Sequence, residues 1–184
     1  MKYTQIASDL FEKIQLNAGI LCTSFSTTTG EVTGIIGATS GGVSFSDTPS
    51  YTDFGEDIDN CPKNSMELKR IDSREVKMSG TFVSIDAQSV ASMVGAADIS
   101  SEKIVPRDDL KTADFKDIWW VGDYSDVDGG FIAIHMLNAL STAGFQIQSG
   151  DKAKGQFAFE YTAHYSIENQ NTVPYEVYVK AGTE

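Results

Sequence analysis

Residues 156–167 read QFAFEYTAHYSI, and the alternation in this stretch decides the fold class. Every second residue from Phe157 onward is Phe, Phe, Tyr, Ala, Tyr or Ile, whereas the residues between them are Ala, Glu, Thr, His and Ser. Such alternation is typical of a β-strand with one buried and one solvent-exposed face. It predicts a strand of twelve residues, which is about twice the usual strand length.

The same alternation recurs in shorter runs and predicts a mostly β fold. Strands are expected at residues 20–25, 32–36, 66–71, 74–85, 103–105, 115–124, 131–137 and 175–180. Asp86 stands at an N-cap position, and the apolar stripe after it predicts one short helix; the stripe is Val90, Met93, Val94 and Ala97. The chain is therefore predicted to be a single domain over residues 1–184, a β-sandwich or half-barrel with one flanking α-helix.

Two stretches are left with open assignments. Residues 5–17 carry an apolar helical face, so this segment forms either a helix or an extended arm; the face is Ile6, Leu10, Phe11 and Ile14. Residues 38–65 contain Gly41-Gly42, two prolines and few apolar residues. Because structureless loops above about 12–15 residues are uncommon in compact domains, we expect a functional long loop or a projecting hairpin arm here.

The composition limits the possible classes of function. The chain has 184 residues, 41% of them hydrophobic, and a formal net charge of −12. This charge argues against a protein that grips nucleic acid through phosphate contacts. Cys22 and Cys61 form either two reduced thiols or one disulfide, and no CxxC pattern suggests zinc. Neither a signal-peptide pattern nor an apolar run of about 20 residues is present.

The sequence offers little material for catalysis, so we expect no enzyme, no cofactor and no metal. His135 lies in the apolar run FIAIHML, which is typical of a core or interface histidine, and His164 lies on the polar side of the long strand. Trp119-Trp120 predicts one inward and one outward ring, the outward one meeting a neighbour within the chain or across an interface. Asp123, Asp126 and Asp128 belong either to a solvated turn or to a calcium-binding loop. Their spacing departs from that of an EF-hand.

Charges change sign along residues 51–77. The candidate assembly arm carries an acidic run with two aromatic residues: Tyr51, Asp53, Phe54, Glu56, Asp57 and Asp59. The candidate partner surface is basic: Lys69, Arg70, Arg74 and Lys77. Either one copy's arm docks on another copy's basic strands, or both are ordinary solvated surfaces, since exposed ion pairs contribute only about 0–1 kcal/mol each.

Four blocks of sequence carry a resemblance to a known family. They are GILCTSFSTTTGEVTGIIGATSGG at 19–42, YTDFGEDIDNCPKNSMELKRIDSREVKMSGTFVSID at 51–86, DIWWVGDYSD at 117–126 and GGFIAIHMLNALSTAGFQIQSGDKAKGQFAFEYTAHYSI at 129–167. In order and spacing, these blocks resemble the major tail protein, or tail tube protein, of long non-contractile-tailed bacteriophages, notably those of Gram-positive hosts. The resemblance covers nearly the whole chain, although no single motif in it is diagnostic.

The resemblance implies a structural virion protein that is assembled in the host cytoplasm. It implies a β-sandwich flanked by a helix, homo-hexameric rings, and a stacked tube whose inner sheets join into one barrel. The implied partners are further copies of the chain, a tape-measure protein, and tail-tip and tail-terminator proteins, with no membrane. DNA would pass through the lumen without specific binding during genome ejection. Some family members carry an immunoglobulin-like C-terminal domain, which we do not expect here because the sequence ends soon after its last predicted strand.

A tube would place the polar side of a sheet towards its lumen. On the long strand, the candidate lumen-facing residues are Gln156, Glu160, Thr162 and His164. Ring symmetry would repeat each carboxylate once in every subunit. A negative or neutral wall would repel the DNA backbone or let it pass, whereas a basic wall would bind it. The alternative function is a soluble β-sandwich module that binds a carbohydrate or a receptor through an exposed aromatic cluster around Trp119-Trp120.

Overall fold

A computed structural model describes residues 6–7, 9–10, 13–124 and 129–182. One α-helix in this part of the chain, α1, spans Ala87–Val94. The strands are β1 (Gln15–Phe25), β2 (Val32–Gly37), β3 (Thr39–Asp53), β4 (Lys69–Phe82), β5 (Ala97–Ser100), β6 (Lys103–Pro106), β7 (Lys116–Tyr124), β8 (Phe131–Ser141), β9 (Phe157–Thr162) and β10 (Tyr175–Lys180).

Eight of the ten strands form one continuous antiparallel arrangement in the order β2-β1-β7-β8-β9-β4-β3, with β10 added at β8. Strand β8 belongs to two layers. Residues 131–139 pair with β7 and residues 131–136 also with β10, whereas Leu140 and Ser141 pair with β9. Sheet A therefore consists of β2, β1, β7, β8 and β10, and sheet B of the end of β8, β9, β4 and β3. The predicted fold class, a mostly β sandwich or half-barrel with one helix, is confirmed.

The two sheets bury their facing sides against each other. Sheet A contributes Leu21, Ile118 and Met136 to this core, and sheet B contributes the inward residues of β4 and β9; these are Val76, Met78, Phe82, Phe157, Phe159 and Tyr161. Helix α1 adds Met93. It begins as predicted at Asp86, whose side chain accepts a hydrogen bond from the Ser89 backbone N–H at 2.7 Å. Ala97, predicted in the helical stripe, instead begins β5.

The predicted twelve-residue strand is wrong, because β9 has only six residues and ends at Thr162. The Ala163 N–H still donates to the Val76 carbonyl at 3.0 Å. Beyond it the backbone turns towards β8, where the Asn138 side-chain amide donates to the His164 carbonyl at 3.2 Å. The Tyr165 hydroxyl then accepts the Arg74 N–H at 3.1 Å, so a side chain replaces the next backbone acceptor. The alternation of apolar and polar residues therefore continues in the sequence to Ile167, beyond the last residue of β9.

Residues 38–65 supply one strand of a long hairpin rather than a loop. Strand β3 pairs with β4 from Thr39 to Asp53. The two strands predicted at 66–71 and 74–85 are wrong as separate elements, since β4 runs unbroken from Lys69 after a 3₁₀ turn at Met66–Leu68. A register shift beside Ser50 absorbs the extra residue in β4 and allows the pairing to continue.

The segment 5–17, predicted as either a helix or an extended arm, lies partly outside the described residues. From Gln15 onward it is extended, because Gln15 and Leu16 already pair with Tyr124 and Asp123 in β7. The strand bulges before Ile20, where Gly19 has a φ of 71°. An added Cβ at Gly19 would lie 2.6 Å from the Trp120 ring, so this bulge requires glycine.

Candidate assembly surfaces

The outer face of sheet B is lined by hydroxyl groups, and we call it the hydroxyl face. In β3 and β4, Ser44 lies opposite Ser79, Ser46 opposite Lys77, Thr48 opposite Glu75 and Ser50 opposite Ser73. In β9, Glu160 lies opposite Ser79 and Thr162 opposite Lys77. Residues directly opposite each other in antiparallel strands share a face, so these side chains form one surface. The alternate residues of β4 and β9 are buried on the other side.

The few charges on the hydroxyl face are held by neighbouring side chains. Lys77 Nζ lies 2.6 Å from Glu75 Oε1. This hydrogen bond raises the pKa of Lys77, and the nearby Glu160 adds to the effect. Glu160 accepts a hydrogen bond from Thr142 Oγ1 at 3.0 Å, and the Thr142 and Thr162 hydroxyls are 2.9 Å apart. One cation between two carboxylates leaves this face weakly negative.

The structure brings together three of the four candidate lumen residues. Gln156 is exposed, and Glu160 and Thr162 are half-buried on the hydroxyl face. His164 lies beyond the end of β9, with its ring edge-on to Phe115 at 5.2 Å between centroids and Nδ1 3.2 Å from the Asn138 carbonyl. The hydroxyls of β3 were not among the predicted lumen residues, although the alternation SFSDTPS at 44–50 carries the same period-two signal.

Strand β3 forms an unpaired border of sheet B. Within the described residues its only strand partner is β4. Sheet A likewise ends at β2, which pairs only with β1, and at β10, which pairs only with β8. Open edges of this kind present free backbone N–H and C=O groups that another chain is able to pair with. Each sheet thus retains a border that its own segments do not cover.

The distal part of the β3–β4 hairpin extends beyond β9 as a two-stranded arm. Pairing of β4 with β9 covers residues 77–82 only, so β3 is the only described strand that pairs with residues 69–75. Asp53 shapes the tip, because its carboxylate accepts the Gly55 N–H at 2.9 Å and the Asn64 N–H at 2.8 Å. These two backbone hydrogen bonds lower the pKa of Asp53. Large apolar side chains around the tip are half or more exposed: Tyr51, Phe54, Ile58 and Met66.

The candidate arm and the candidate partner surface lie on this same hairpin. Asp53 is opposite Lys69, and Thr52 is opposite Arg70. Lys69 Nζ also lies 4.9 Å from the centre of the Tyr51 ring. The acidic tip residues Glu56, Asp57 and Asp59 are exposed. Docking of one copy's arm on another copy's basic residues stays a prediction.

The base of the arm is fastened to sheet A by a polar network. Arg74 and Asp47 form an ion pair across β4 and β3, with side chains that are 26% and 14% exposed. The Tyr175 hydroxyl of β10 donates to the same Asp47 oxygen at 2.9 Å, and this hydrogen bond raises the pKa of Tyr175. Phe45 packs on the Tyr175 ring at 5.3 Å. The arm therefore leaves the body in a defined direction.

Trp119 and Trp120 point to opposite sides of β7, and both meet neighbours within the chain. Trp119 stacks on His135 at 3.9 Å between centroids and is 9% exposed. The Trp120 indole N–H donates to the Ala18 carbonyl at 3.0 Å. His135 Nε2 is 3.1 Å from Asp117 Oδ2, with Glu176 on its other nitrogen. These rings do not form an exposed aromatic cluster, and binding of a carbohydrate or a receptor stays an untested alternative.

Neither cysteine forms a disulfide. Cys22 is buried, which raises the pKa of its thiol, and Cys61 lies near the arm tip; both are free. Among the residues that the structure describes, no group of three or more His, Cys, Asp or Glu side chains is arranged to hold a metal ion. Asp126 and Asp128 lie outside those residues, and Asp123 accepts a hydrogen bond from Asn17. No helix in the described part of the chain has the length and hydrophobicity to cross a bilayer.

The fold and its surfaces define a class: an antiparallel β-sandwich with one solvent-facing hydroxyl sheet, open borders and a projecting two-stranded arm. Comparison with known proteins adds no identification, because no protein-family model and no curated protein sequence matches this chain.

Proposed function

We propose that this chain is a non-enzymatic structural subunit that polymerises into a tube, the tail tube of a long non-contractile-tailed bacteriophage. Copies would form hexameric rings, and the rings would stack into a conduit through which DNA leaves the virion. The observation that carries the proposal is the one-sided sheet B. Its outer face is polar over three strands, and its fifteen-residue border strand β3 has no strand partner on one side among the residues that the structure describes. A subunit that completes its sheets with identical copies needs both features.

The two-stranded arm supports contact between copies. Four large apolar side chains at its tip are half or more exposed, although their backbone is fixed by Asp53. An ordered apolar protrusion of this kind is typical of a surface that another protein covers. The resemblance stated above adds the tape-measure, tail-tip and tail-terminator proteins as further partners and the virion as the location.

Electron microscopy of the concentrated protein, with and without a tail-tip initiator complex, tests the proposal. We expect tubes of uniform width. A protein that stays monomeric at every concentration in the presence of the initiator, or that binds glycans as a monomer, would contradict it.

Substitutions at the arm tip sharpen this test. Deleting residues 44–60 would remove most of β3 and disturb the core, so exposed side chains are the better targets. We expect Phe54→Ser with Ile58→Ser and Met66→Ser to leave a folded monomer that forms no tubes. The matched control changes exposed apolar residues of the β5–β6 region, which we expect to leave tubes intact: Ile99→Ser, Val105→Ser and Leu110→Ser.

A further inference from the structure

The border of sheet B opposite β3 is a segment after β8 that is not a strand and that meets the start of β9 at one isolated bridge. After β8 ends, the Thr142 N–H donates to the Glu160 carbonyl at 3.0 Å. Six residues later, Gln148 and Gln156 exchange two backbone hydrogen bonds of 2.8 and 2.9 Å. Between these points, residues 143–147 make no backbone–backbone hydrogen bond with any other described residue. We call residues 144–148 the border segment.

The side chains of the border segment alternate between the core side and the hydroxyl face of sheet B. The Phe145 ring stacks on the core residue Phe157 at 6.1 Å, which places Phe145 on the core side. Ile147 follows with the same parity, and the two side chains are 40% and 61% exposed. Gln146 and Gln148 have the opposite parity, and Gln148 pairs with Gln156 at the edge of the hydroxyl face. Two apolar side chains are thus left uncovered at the margin of the core.

Strand β3, at the far border, has the matching alternation. Val43 and Phe45 lie on the core side, where they pack against the buried cluster, and Ser44 and Ser46 lie on the hydroxyl face. Pro49 lacks an N–H and interrupts any ladder formed with an added strand. The usable β3 edge beyond its bulge therefore runs from Val43 to Thr48, and a five-residue partner is able to pair along most of it.

The strand directions are compatible with a head-to-tail contact. β4 is antiparallel to both β3 and β9, so β3 and β9 run the same way. The border segment meets β9 in an antiparallel bridge and therefore runs opposite to β3. A rotation about an axis along the strands brings one copy's β3 beside the next copy's border segment as an antiparallel pair. Such heterologous contacts form rings when the rotation closes.

We propose that the border segment becomes a β-strand when residues 43–48 of a second copy pair with it. This inference rests on the proposed tube function and names the two segments that form the ring contact. Polar side chains would then continue the hydroxyl face, and Val43 and Phe45 of the second copy would cover Phe145 and Ile147. The contact is new structure formed on assembly, since residues 143–147 make no backbone–backbone hydrogen bond with another described residue and only the Ala143 carbonyl accepts a side-chain donor, Gln146 Nε2 at 3.2 Å.

Disulfide trapping tests the pairing. In a Cys61→Ser background, with the buried Cys22 retained, Gln146→Cys is combined with either Ser44→Cys or Ser46→Cys. Within one chain these positions are three strand spacings apart, roughly 14 Å, whereas a disulfide needs Cα atoms within about 7 Å. Any bond therefore joins two copies. Under mild oxidation at assembly concentrations, we expect at least one pair to give a ladder of covalent oligomers that ends at one ring size.

The matched control is Gln146→Cys with Ser50→Cys, which lies on the same face of β3 beyond Pro49 and is expected to give no ladder. Each single variant is also expected to stay monomeric on a denaturing gel. Tubes without a ladder from either test pair, or an equal ladder from the Ser50→Cys control, would overturn the pairing and leave the tube function standing. A ladder without tubes of uniform width would support the pairing and contradict the tube function.

Discussion

The two sheets differ in what covers their outer faces. The outer face of sheet A carries a second buried cluster of Cys22, Phe25, Trp119, Phe131 and Ala133. The outer face of sheet B carries serine, threonine and a few charged side chains instead. Sheet A therefore has buried clusters on both faces, whereas sheet B has buried residues only on its core side. The outer face of sheet B is therefore the face that is available to a lumen or to an assembly partner.

The largest effect is expected at sheet A's outer face. Trp119→Ala removes a ring that stacks on His135 and packs against Phe25 and Tyr178. We expect it to lower the free energy of unfolding by about 3–5 kcal/mol, as for other buried large-to-small changes. Urea denaturation, monitored by far-ultraviolet circular dichroism rather than by tryptophan fluorescence, measures this loss. Ser46→Ala on sheet B is the control, expected to change stability by less than about 0.5 kcal/mol; similar losses in both would remove the distinction between the faces.

The second effect concerns the network that joins the sheets. Arg74→Met leaves the Asp47 carboxylate, 14% exposed, with Tyr175 but without its cation. We expect a loss of about 2–4 kcal/mol in unfolding free energy, because a half-buried charge loses its partner. The double variant Asp47→Asn with Arg74→Met is expected to recover part of the loss. If the single variant is as stable as the native chain, the arm is not fastened to sheet A in this way.

A smaller effect is expected at the helix that flanks the core. Asp86→Ala removes the N-cap of α1 and should cost about 1 kcal/mol at neutral pH. Hydrogen bonds from Ser89 lower the pKa of Asp86 in the folded protein. A lowered pKa stabilises the fold above the unfolded-state pKa of about 4, and this contribution is lost as the pH falls through the folded value. The variant and the native chain should therefore converge in stability at acidic pH, and a gap that persists there would contradict the role of this carboxylate.

Local patterns predicted the parts of the fold that depend on neighbouring residues in sequence. The Asp86 cap and the alternation of Phe157, Phe159 and Tyr161 are local signals, and both are present in the structure. The end of β9 is not a local property, since it depends on Asn138 of β8 capturing His164. The continuous pairing of β3 with β4 likewise depends on tertiary contacts, because the alternation at 44–50 indicates a strand but not its partner or register.

The candidate site was predictable only in part, for the same reason. Glu160 and Thr162 were placed on a polar face by alternation alone. Their neighbours Thr142 and Lys77 come from strands that pairing, not sequence proximity, brings beside them. The pairing of Asp53 with Lys69 also follows from the register of the β3–β4 hairpin. This register places opposite each other two residues that are distant in the sequence.

The smallest effect on stability is expected where the proposed function is most sensitive. Glu160→Lys changes a half-buried side chain of the hydroxyl face whose only hydrogen bond from a described side chain comes from Thr142. We expect a change in unfolding free energy within about 1 kcal/mol and normal tube assembly. Each ring, however, would replace a belt of carboxylates by a belt of amines, and amines hold DNA phosphates by releasing counterions.

Short DNA retained by assembled tubes after pelleting measures this change. Retention should rise in the Glu160→Lys tubes and fall again as salt is added, because counterion release weakens with ionic strength. Glu160→Gln, which removes the charge without reversing it, is the matched control and should retain far less DNA at every salt concentration. The same substitution should slow genome ejection in virions that carry it. Equal retention by all three proteins would show that the hydroxyl face does not line the conduit, while leaving the contrast between the two sheets intact.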